Sequence, residues 1–134
     1  MDGTPALNRL TARIIGAAIE VHRHLGPGLL ESIYQECLAR ELASRRLAFT
    51  VQQPAPVVYK GVRLSAVYRL DVVVERVVVV EIKSVESINA VHLAQTLTYM
   101  RLAACPVGLL INFNVPRLRE GIKRLVAGLR RDAL

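Results

Sequence analysis

Residues 68–84, YRLDVVVERVVVVEIKS, contain two runs of valine separated by Glu75 and Arg76. Valine and isoleucine are β-branched and favour strands. Segments 70–74 and 77–82 are apolar at both odd and even positions, which is typical of strands buried on both faces of a sheet. Three charged residues within these strands, Asp71, Glu81 and Lys83, therefore stand where apolar residues are expected.

The turn between the two strands decides whether Asp71 and Glu81 meet. Residues two apart on a strand share a face, so Glu81 and Lys83 emerge together. In an antiparallel pair, a three-residue turn at 75–77 pairs Asp71 with Glu81. A two-residue turn would instead pair Asp71 with Val80 and send Glu81 to the other face. Because this segment has no glycine, we expect either the wider turn or a β-bulge near Asp71.

These charged residues have two interpretations. One is a salt bridge at the end of a strand. The other is a metal site, because burying two acids and a lysine costs free energy unless something compensates. A divalent cation would do so: Mg²⁺ or Mn²⁺ prefers carboxylate and carbonyl oxygens and would keep both acids ionised.

Outward from this hairpin, the periodicity changes along the chain. Residues 8–24 and 29–45 have apolar spacings of three and four and predict helices. The remaining predicted elements are strands at 47–53, 54–60, 62–75 and 77–84, a helix at 87–104, a strand at 106–113 and an amphipathic helix from Pro116 onward. This order predicts an α/β fold, with a mixed α+β sheet covered by helices. At 134 residues the chain has enough apolar material for one domain, residues 1–134.

Two further sets of polar residues interrupt apolar helix faces. At about 100° per residue, Glu31 lies on the stripe formed by Leu38 and Leu42. For a lone glutamate, a bond to a neighbouring backbone or arginine is an alternative to a role in the site. Gln95 and Tyr99 lie one turn apart on one helix face, although a tyrosine on an amphipathic helix commonly packs in the core.

Charge is unevenly distributed. The chain has 18 Lys and Arg against 11 Asp and Glu, a net charge of +7, which favours a polyanionic partner. Six of the basic residues lie near the C-terminus: Arg117, Arg119, Lys123, Arg124, Arg130 and Arg131. They form either a solvated helix face or a surface that binds phosphates.

Composition argues against several other classes of protein. Cys37 and Cys105 lie in apolar patterns without paired metal spacing, so we expect reduced thiols in a cytoplasmic protein and no zinc site. The longest uncharged run, residues 102–116, contains two prolines and is too short to span a bilayer. The N-terminus lacks the basic and apolar order of a signal peptide. We therefore expect no membrane association.

Five separated motifs together resemble the GxxExxY proteins of the PD-(D/E)XK nuclease superfamily. They are Gly28-x-x-Glu31-x-x-Tyr34, Tyr68-Arg69-x-Asp71, Glu81-x-Lys83, Gln95-x-x-x-Tyr99 and the strand Gly108-Leu-Leu-Ile-Asn-Phe. The resemblance covers roughly residues 8–127, and the combination is far more specific than any single motif. It implies a restriction-endonuclease-like α-β-β-β-α-β core, here with an extra N-terminal helix and a C-terminal helix. Asn114 departs from the pattern, because a small turn residue such as glycine is expected there.

The resemblance also implies roles for individual residues. Asp71 and Glu81 would be the metal-binding acids, with the Ile82 carbonyl beside them, and Lys83 would be the catalytic lysine. Glu31 would complete the site from its helix. Gln95 and Tyr99 would help to place the nucleic acid.

The function implied is hydrolysis of phosphodiester bonds in nucleic acid with Mg²⁺ or Mn²⁺ as cofactor. Few residues are aromatic, 4% of the chain, so an extended platform for stacking single strands is not expected, and DNA duplex is favoured. Arg117, Arg119, Lys123 and Arg124 would bind its backbone. The alternative is a noncatalytic module that keeps the nuclease fold and binds nucleic acid or protein, with a protein partner or a homodimer left open.

Overall fold

The computed structural model describes residues 4–127. Its elements in chain order are α1 (Pro5–Leu25), α2 (Glu31–Ser44), β1 (Phe49–Tyr59), β2 (Val62–Val74), β3 (Val78–Lys83), α3 (Ala90–Ala103), β4 (Val107–Asn112), a 3₁₀ helix (Leu118–Gly121) and β5 (Ile122–Val126). The stretch from α2 to β4 is the predicted α-β-β-β-α-β series, preceded by the predicted extra helix. The expected mixed α+β architecture is confirmed.

The five strands form one mixed sheet in the order β1-β2-β3-β4-β5. β3 and β4 are parallel, and the other neighbouring strands are antiparallel. One apolar cluster joins α1 and α2 to one face of the sheet, and a second joins α3 to the other face. Because the valines of β3 alternate between these two clusters, the predicted burial of both faces is confirmed.

The hairpin between β2 and β3 has the wider of the two predicted turns. Val72 pairs with Val80 and Val74 with Val78, so three residues, 75–77, form the turn. Glu75 and Arg76 adopt positive φ angles of 53° and 62°. Such angles cost free energy for residues other than glycine, and the Glu75 carboxylate offsets part of that cost by accepting a hydrogen bond from Ala48 N at 2.8 Å.

The alternation of side chains along β2 breaks at Asp71. Leu70 and Val73 both pack on the α3 side, whereas Val72 packs on the opposite side. The pairing of β1 with β2 has the same register before and after this position, so no extra residue is inserted. Instead, Gln52 on β1 has a positive φ of 52°. A local twist, rather than a conventional bulge, therefore sets the direction of Asp71.

Two strand and helix predictions are wrong in detail. Segments 47–53 and 54–60 form a single strand, β1, because Pro54 and Pro56 are tolerated in a strand at the edge of a sheet. The third helix begins at Ala90 rather than at 87. Asn89 caps it by accepting a hydrogen bond from His92 N, and the His92 ring accepts one from Asn89 N in return.

The predicted C-terminal helix is wrong over residues 116–127, which form the 3₁₀ helix and β5. β5 pairs with β4 and so satisfies the outer backbone groups of a strand that is buried throughout. Gly121 makes this approach possible, because a Cβ there would lie 2.1 Å from the Asn112 carbonyl oxygen. Residues 128–134, which belong to the same predicted helix, lie outside the described residues. Within residues 4–127, no helix combines the length and apolar character needed to cross a membrane.

Candidate active site

Asp71 and Glu81 lie where β2 and β3 separate. The paired residues of the two strands end at Val72 and Val80. Beyond that point, Asp71 Oδ2 accepts a hydrogen bond from Ile82 N at 2.8 Å, and Glu81 Oε1 accepts one from Asp71 N at 3.2 Å. Each carboxylate thus binds a backbone N–H of the opposite strand that would otherwise be unpaired. The sequence prediction that the two acids meet depended on the three-residue turn, which the hairpin has.

The surroundings of this pair disfavour two negative charges. Glu81 is only 3% exposed, and burial, together with the nearby Asp71 carboxylate, raises its pKa to about 8. Burial also raises the pKa of Asp71, against the opposing effects of the Ile82 N–H and the Lys83 cation. Both acids therefore keep their protons to higher pH than isolated carboxyl groups do, and a bound cation would favour their ionised forms.

Lys83 projects from β3 towards α3. Residues 79, 81 and 83 share one face of the strand, and Val79 on that face packs with α3 residues. The Lys83 ammonium donates a hydrogen bond to Gln95 Oε1 at 3.3 Å, and its charge lowers the pKa of both Asp71 and Glu81. Gln95 therefore orients the Lys83 side chain. Through this contact, α3 is connected to the strand that carries Glu81.

Tyr99 lies in the core beside the site. It is 6% exposed, and its ring centroid lies 5.3 Å from that of Tyr68. Burial and the Glu81 charge raise the pKa of Tyr99 to about 12, while a hydrogen bond with Gln95 opposes the shift. Its hydroxyl consequently stays protonated. The packing agrees with the core interpretation of this tyrosine, and the bond to Gln95 also links it to Lys83.

Glu31 is the first residue of α2 and is exposed. The other residues on this helix face are fully buried: Tyr34, Leu38 and Leu42. Glu31 therefore lies at the end of the helix where this face emerges from the core. Glu31 Oε2 accepts a hydrogen bond from Ser84 N at 3.1 Å, as the backbone-bonding alternative expected. Its charge also contributes to the raised pKa of Asp71 and Glu81.

The loop before α2 holds Glu31 in position. Gly26 and Gly28 have positive φ angles of 69° and 99°, which glycine adopts without strain. The Tyr34 hydroxyl donates to Gly26 O at 2.5 Å and accepts from Leu29 N at 3.2 Å. The Tyr34 ring stacks on Phe113 at the end of β4, with centroids 4.5 Å apart. The tyrosine of the GxxExxY motif therefore anchors the glycine loop to the sheet.

Replacing Tyr34 with phenylalanine should lower the free energy of unfolding by about 1–2 kcal/mol, because both partners of a buried hydroxyl lose a hydrogen bond. Urea denaturation measures this change. Tyr59→Phe is the matched control, since Tyr59 is 60% exposed and the same substitution there should leave the stability unchanged. Equal stabilities for the two variants would contradict the anchoring role of Tyr34.

Gln52 and Gln35 near the site were missed by sequence reasoning, and the contacts of Asn112 and Asn114 were not predicted. Gln52 donates to Gln35 Oε1 at 2.8 Å and to Asp71 Oδ1 at 3.4 Å. Gln35 was detectable in principle, since it lies four residues after Glu31 and hence on the same helix face. Asn112 and Asn114 both bind Val85 in the loop after β3. Asn114, which departs from the family pattern, thus has a structural contact of its own.

The donor atoms at the site suit a hard cation. Within residues 4–127, no group of three or more His, Cys, Asp and Glu side chains is arranged to hold a metal ion, and Glu31 is turned to the Ser84 backbone. Two neighbouring carboxylates remain, and the carbonyl of Ile82, whose N–H binds Asp71, is the backbone oxygen expected beside them. These are oxygen ligands of the kind that Mg²⁺ and Mn²⁺ prefer over Zn²⁺. The raised pKa values of both acids support the fit, because a dication would remove their mutual repulsion.

The predicted basic surface does not share one helix face. Arg117 and Arg119 line a cleft of about 450 Å³ between α1 and the 3₁₀ helix, together with Arg23. Successive residues of β5 point to opposite faces, and Arg124 accordingly lies on the α1 side, where it donates to Asn8 Oδ1 at 2.9 Å. Lys123 is exposed and faces the other way. Arg130 and Arg131 lie outside the described residues.

The mixed sheet opens at two carboxylates, with a lysine two residues after the second, which is the arrangement that the motif resemblance implied. The family model for the PD-(D/E)XK nuclease superfamily matches residues 8–125, so the chain belongs to this superfamily. The restriction-endonuclease-like core expected from the motifs is thereby confirmed. No curated protein and no solved structure matched the chain.

Proposed function

We propose that this protein is a metal-dependent nuclease that hydrolyses phosphodiester bonds in DNA. The observation that carries the proposal is the adjacent pair Asp71 and Glu81, with Lys83 on the same face of β3 as Glu81. Superfamily membership supports the reaction class. Residues 1–134 would act as one domain in the cytoplasm, in keeping with the free thiols of Cys37 and Cys105.

The residues of the chain would divide the chemistry as follows. Asp71, Glu81 and the Ile82 carbonyl would hold Mg²⁺ or Mn²⁺, and Glu31 would join them if its carboxylate left the Ser84 N–H that it now accepts from. The bound ion would lower the pKa of a water molecule and neutralise charge on the phosphate. Lys83 would orient that water or stabilise the additional negative charge of the transition state. Gln95 would keep the Lys83 ammonium in position, with Tyr99 supporting Gln95 from the core.

DNA binding is supported by the net charge of +7 and by the exposed cations Arg117, Arg119 and Lys123. Arg124 lies on the same edge of the fold. Because such contacts release counterions from the phosphate backbone, cleavage should weaken steeply with salt. The low aromatic content gives little surface for stacking single-stranded bases.

Replacing Lys83 with alanine should abolish metal-dependent cleavage, because the variant lacks the cation beside the reacting phosphate. Linear and circular, single- and double-stranded DNA and RNA with Mg²⁺ or Mn²⁺ would identify both the activity and its substrate. Arg40→Ala on the exposed face of α2 removes the same charge away from the site and should cleave like the wild type. Equal activity of Lys83→Ala and Arg40→Ala would exclude the proposed role of the lysine.

A noncatalytic binding module is the second candidate. The observation that favours it is that no three metal-binding side chains converge within residues 4–127. A titration with Mn²⁺ separates the candidates, because an ion that binds the folded protein raises its melting temperature. A folded protein that gains no stability and releases no heat on titration would favour the module, which could act through a protein partner or as a homodimer.

A further inference from the structure

β1 and β2 extend beyond the rest of the sheet as a two-stranded arm, residues 54–69. In the described part of the chain, β3 pairs with β2 only from Val72 to Val74, whereas β1 and β2 remain paired out to Tyr59 and Val62. All nine residues of 61–69 are exposed. Beyond its base, where Ala55 is buried against α3, the arm is paired only with itself, with a turn at Lys60 and Gly61, and most of its surface is open to a partner.

The charge of the arm has one sign. Residues 54–69 contain Lys60, Arg63 and Arg69 and neither aspartate nor glutamate. All three cations are exposed. Lys60 and Arg63 lie near the tip, while Arg69 lies at the base, two residues from Asp71. The arm therefore presents positive charge to phosphates at its tip and at its base.

Both edges of the arm carry features that hinder addition of another strand. Pro54 and Pro56 on β1 lack backbone N–H groups. On β2, residues 64–66 all lie opposite the single residue Val57, because the register shifts between Pro56 and Val58. Such irregularities twist an edge away from regular pairing. The exposed arm is thus poorly suited to pair edge to edge with a second copy of the chain.

We propose that the arm binds double-stranded DNA by lying in the major groove beside the active site. The six residues of β1 in the arm, 54–59, at about 3.3 Å each give a paired length of roughly 20 Å, and the major groove, about 12 Å wide, admits a two-stranded ribbon. The base of the arm touches the site, since the Tyr68 ring packs against Tyr99. This inference rests on the proposed nuclease function and adds the element that holds the substrate: the arm, lying in the major groove of duplex DNA next to the scissile bond.

The test measures binding without cleavage. Fluorescence anisotropy of a labelled duplex longer than the arm, in EDTA, gives the dissociation constant as a function of salt. Lys60→Ala/Arg63→Ala should weaken duplex binding by about tenfold and reduce the salt slope by about two. Both side chains are exposed, and a circular dichroism melt verifies that the variant is folded.

The control removes two exposed cations elsewhere. Arg9→Ala/Arg40→Ala removes one cation from α1 and one from α2, which is the same change in net charge as in the arm variant. Its duplex affinity should stay within about twofold of that of the wild type. Equal losses in the two double variants would overturn the inference, because net charge alone would then explain binding. Tighter binding of single strands than of duplex by the wild type would also overturn it. So would a wild-type dimer that becomes a monomer in Lys60→Ala/Arg63→Ala, since the arm would then be a protein interface.

The inference and the proposed function can fail separately. If Lys60→Ala/Arg63→Ala binds duplex DNA normally and cleavage still requires Lys83, the DNA-binding role of the arm is excluded and the nuclease function is supported. If the wild type cuts no substrate, but Lys60→Ala/Arg63→Ala selectively loses duplex binding, the proposed nuclease function fails. The arm is then the DNA-binding element of a noncatalytic module.

Discussion

Asp71→Asn should reduce metal-dependent cleavage by about a thousandfold or more, which corresponds to roughly 4 kcal/mol of lost transition-state stabilisation. The substitution removes one of the two neighbouring carboxylates available to hold a cation. It should leave the fold intact, because the asparagine oxygen can still accept the hydrogen bond that Asp71 Oδ2 receives from Ile82 N. Single-turnover cleavage of duplex DNA measures the effect.

Three measurements make this result specific to the metal site. Glu36→Gln neutralises an exposed acid on α2 and should cleave at the wild-type rate. Mn²⁺ should raise the melting temperature of the wild type and not that of Asp71→Asn. If a folded Asp71→Asn protein cleaves at the wild-type rate, the proposed mechanism is excluded, because that mechanism requires the Asp71 carboxylate to bind the metal ion.

The meeting of Asp71 with Glu81 could be predicted from the sequence because strand geometry is periodic. Once two valine runs are assigned to antiparallel strands, the length of the turn alone fixes which side chains face each other. The positive φ angles of Glu75 and Arg76 were not predictable in the same way. Neither residue favours that conformation strongly, and the bond from Ala48 N to Glu75 that stabilises it joins residues 27 positions apart.

The C-terminal segment illustrates the opposite case. Its basic and apolar residues fit a helix when only local spacing is considered, but β4 has an open edge of backbone groups that only another strand can pair. Gln52 escaped notice for a similar reason, since its role depends on a local twist at the point where β1 faces Asp71. Tertiary requirements of this kind leave little trace in a single segment of sequence.

Glu81→Gln should make the metal-free protein more stable at alkaline pH, by about 3–5 kcal/mol near pH 9. In the folded protein the pKa of Glu81 is raised from 4.5 to about 8, so the native state binds this proton more tightly than the unfolded chain does. The resulting stability is fully present below about pH 4.5 and is lost as the pH rises towards about 8. Glutamine cannot ionise, and its side-chain oxygen can still accept the hydrogen bond from Asp71 N.

Urea denaturation in EDTA from about pH 5 to about pH 9 should therefore show a falling free energy of unfolding for the wild type and a flatter profile for Glu81→Gln. Glu86→Gln, which neutralises an exposed acid in the loop after β3, should follow the wild-type profile. Mg²⁺ should restore wild-type stability at the alkaline end, because the dication replaces the proton between Asp71 and Glu81. It should do little for Glu81→Gln, which lacks one of the two charges. Identical profiles for wild type and Glu81→Gln, with no response to Mg²⁺ in either, would mean that this pair does not form the cation site on which the proposed hydrolysis depends.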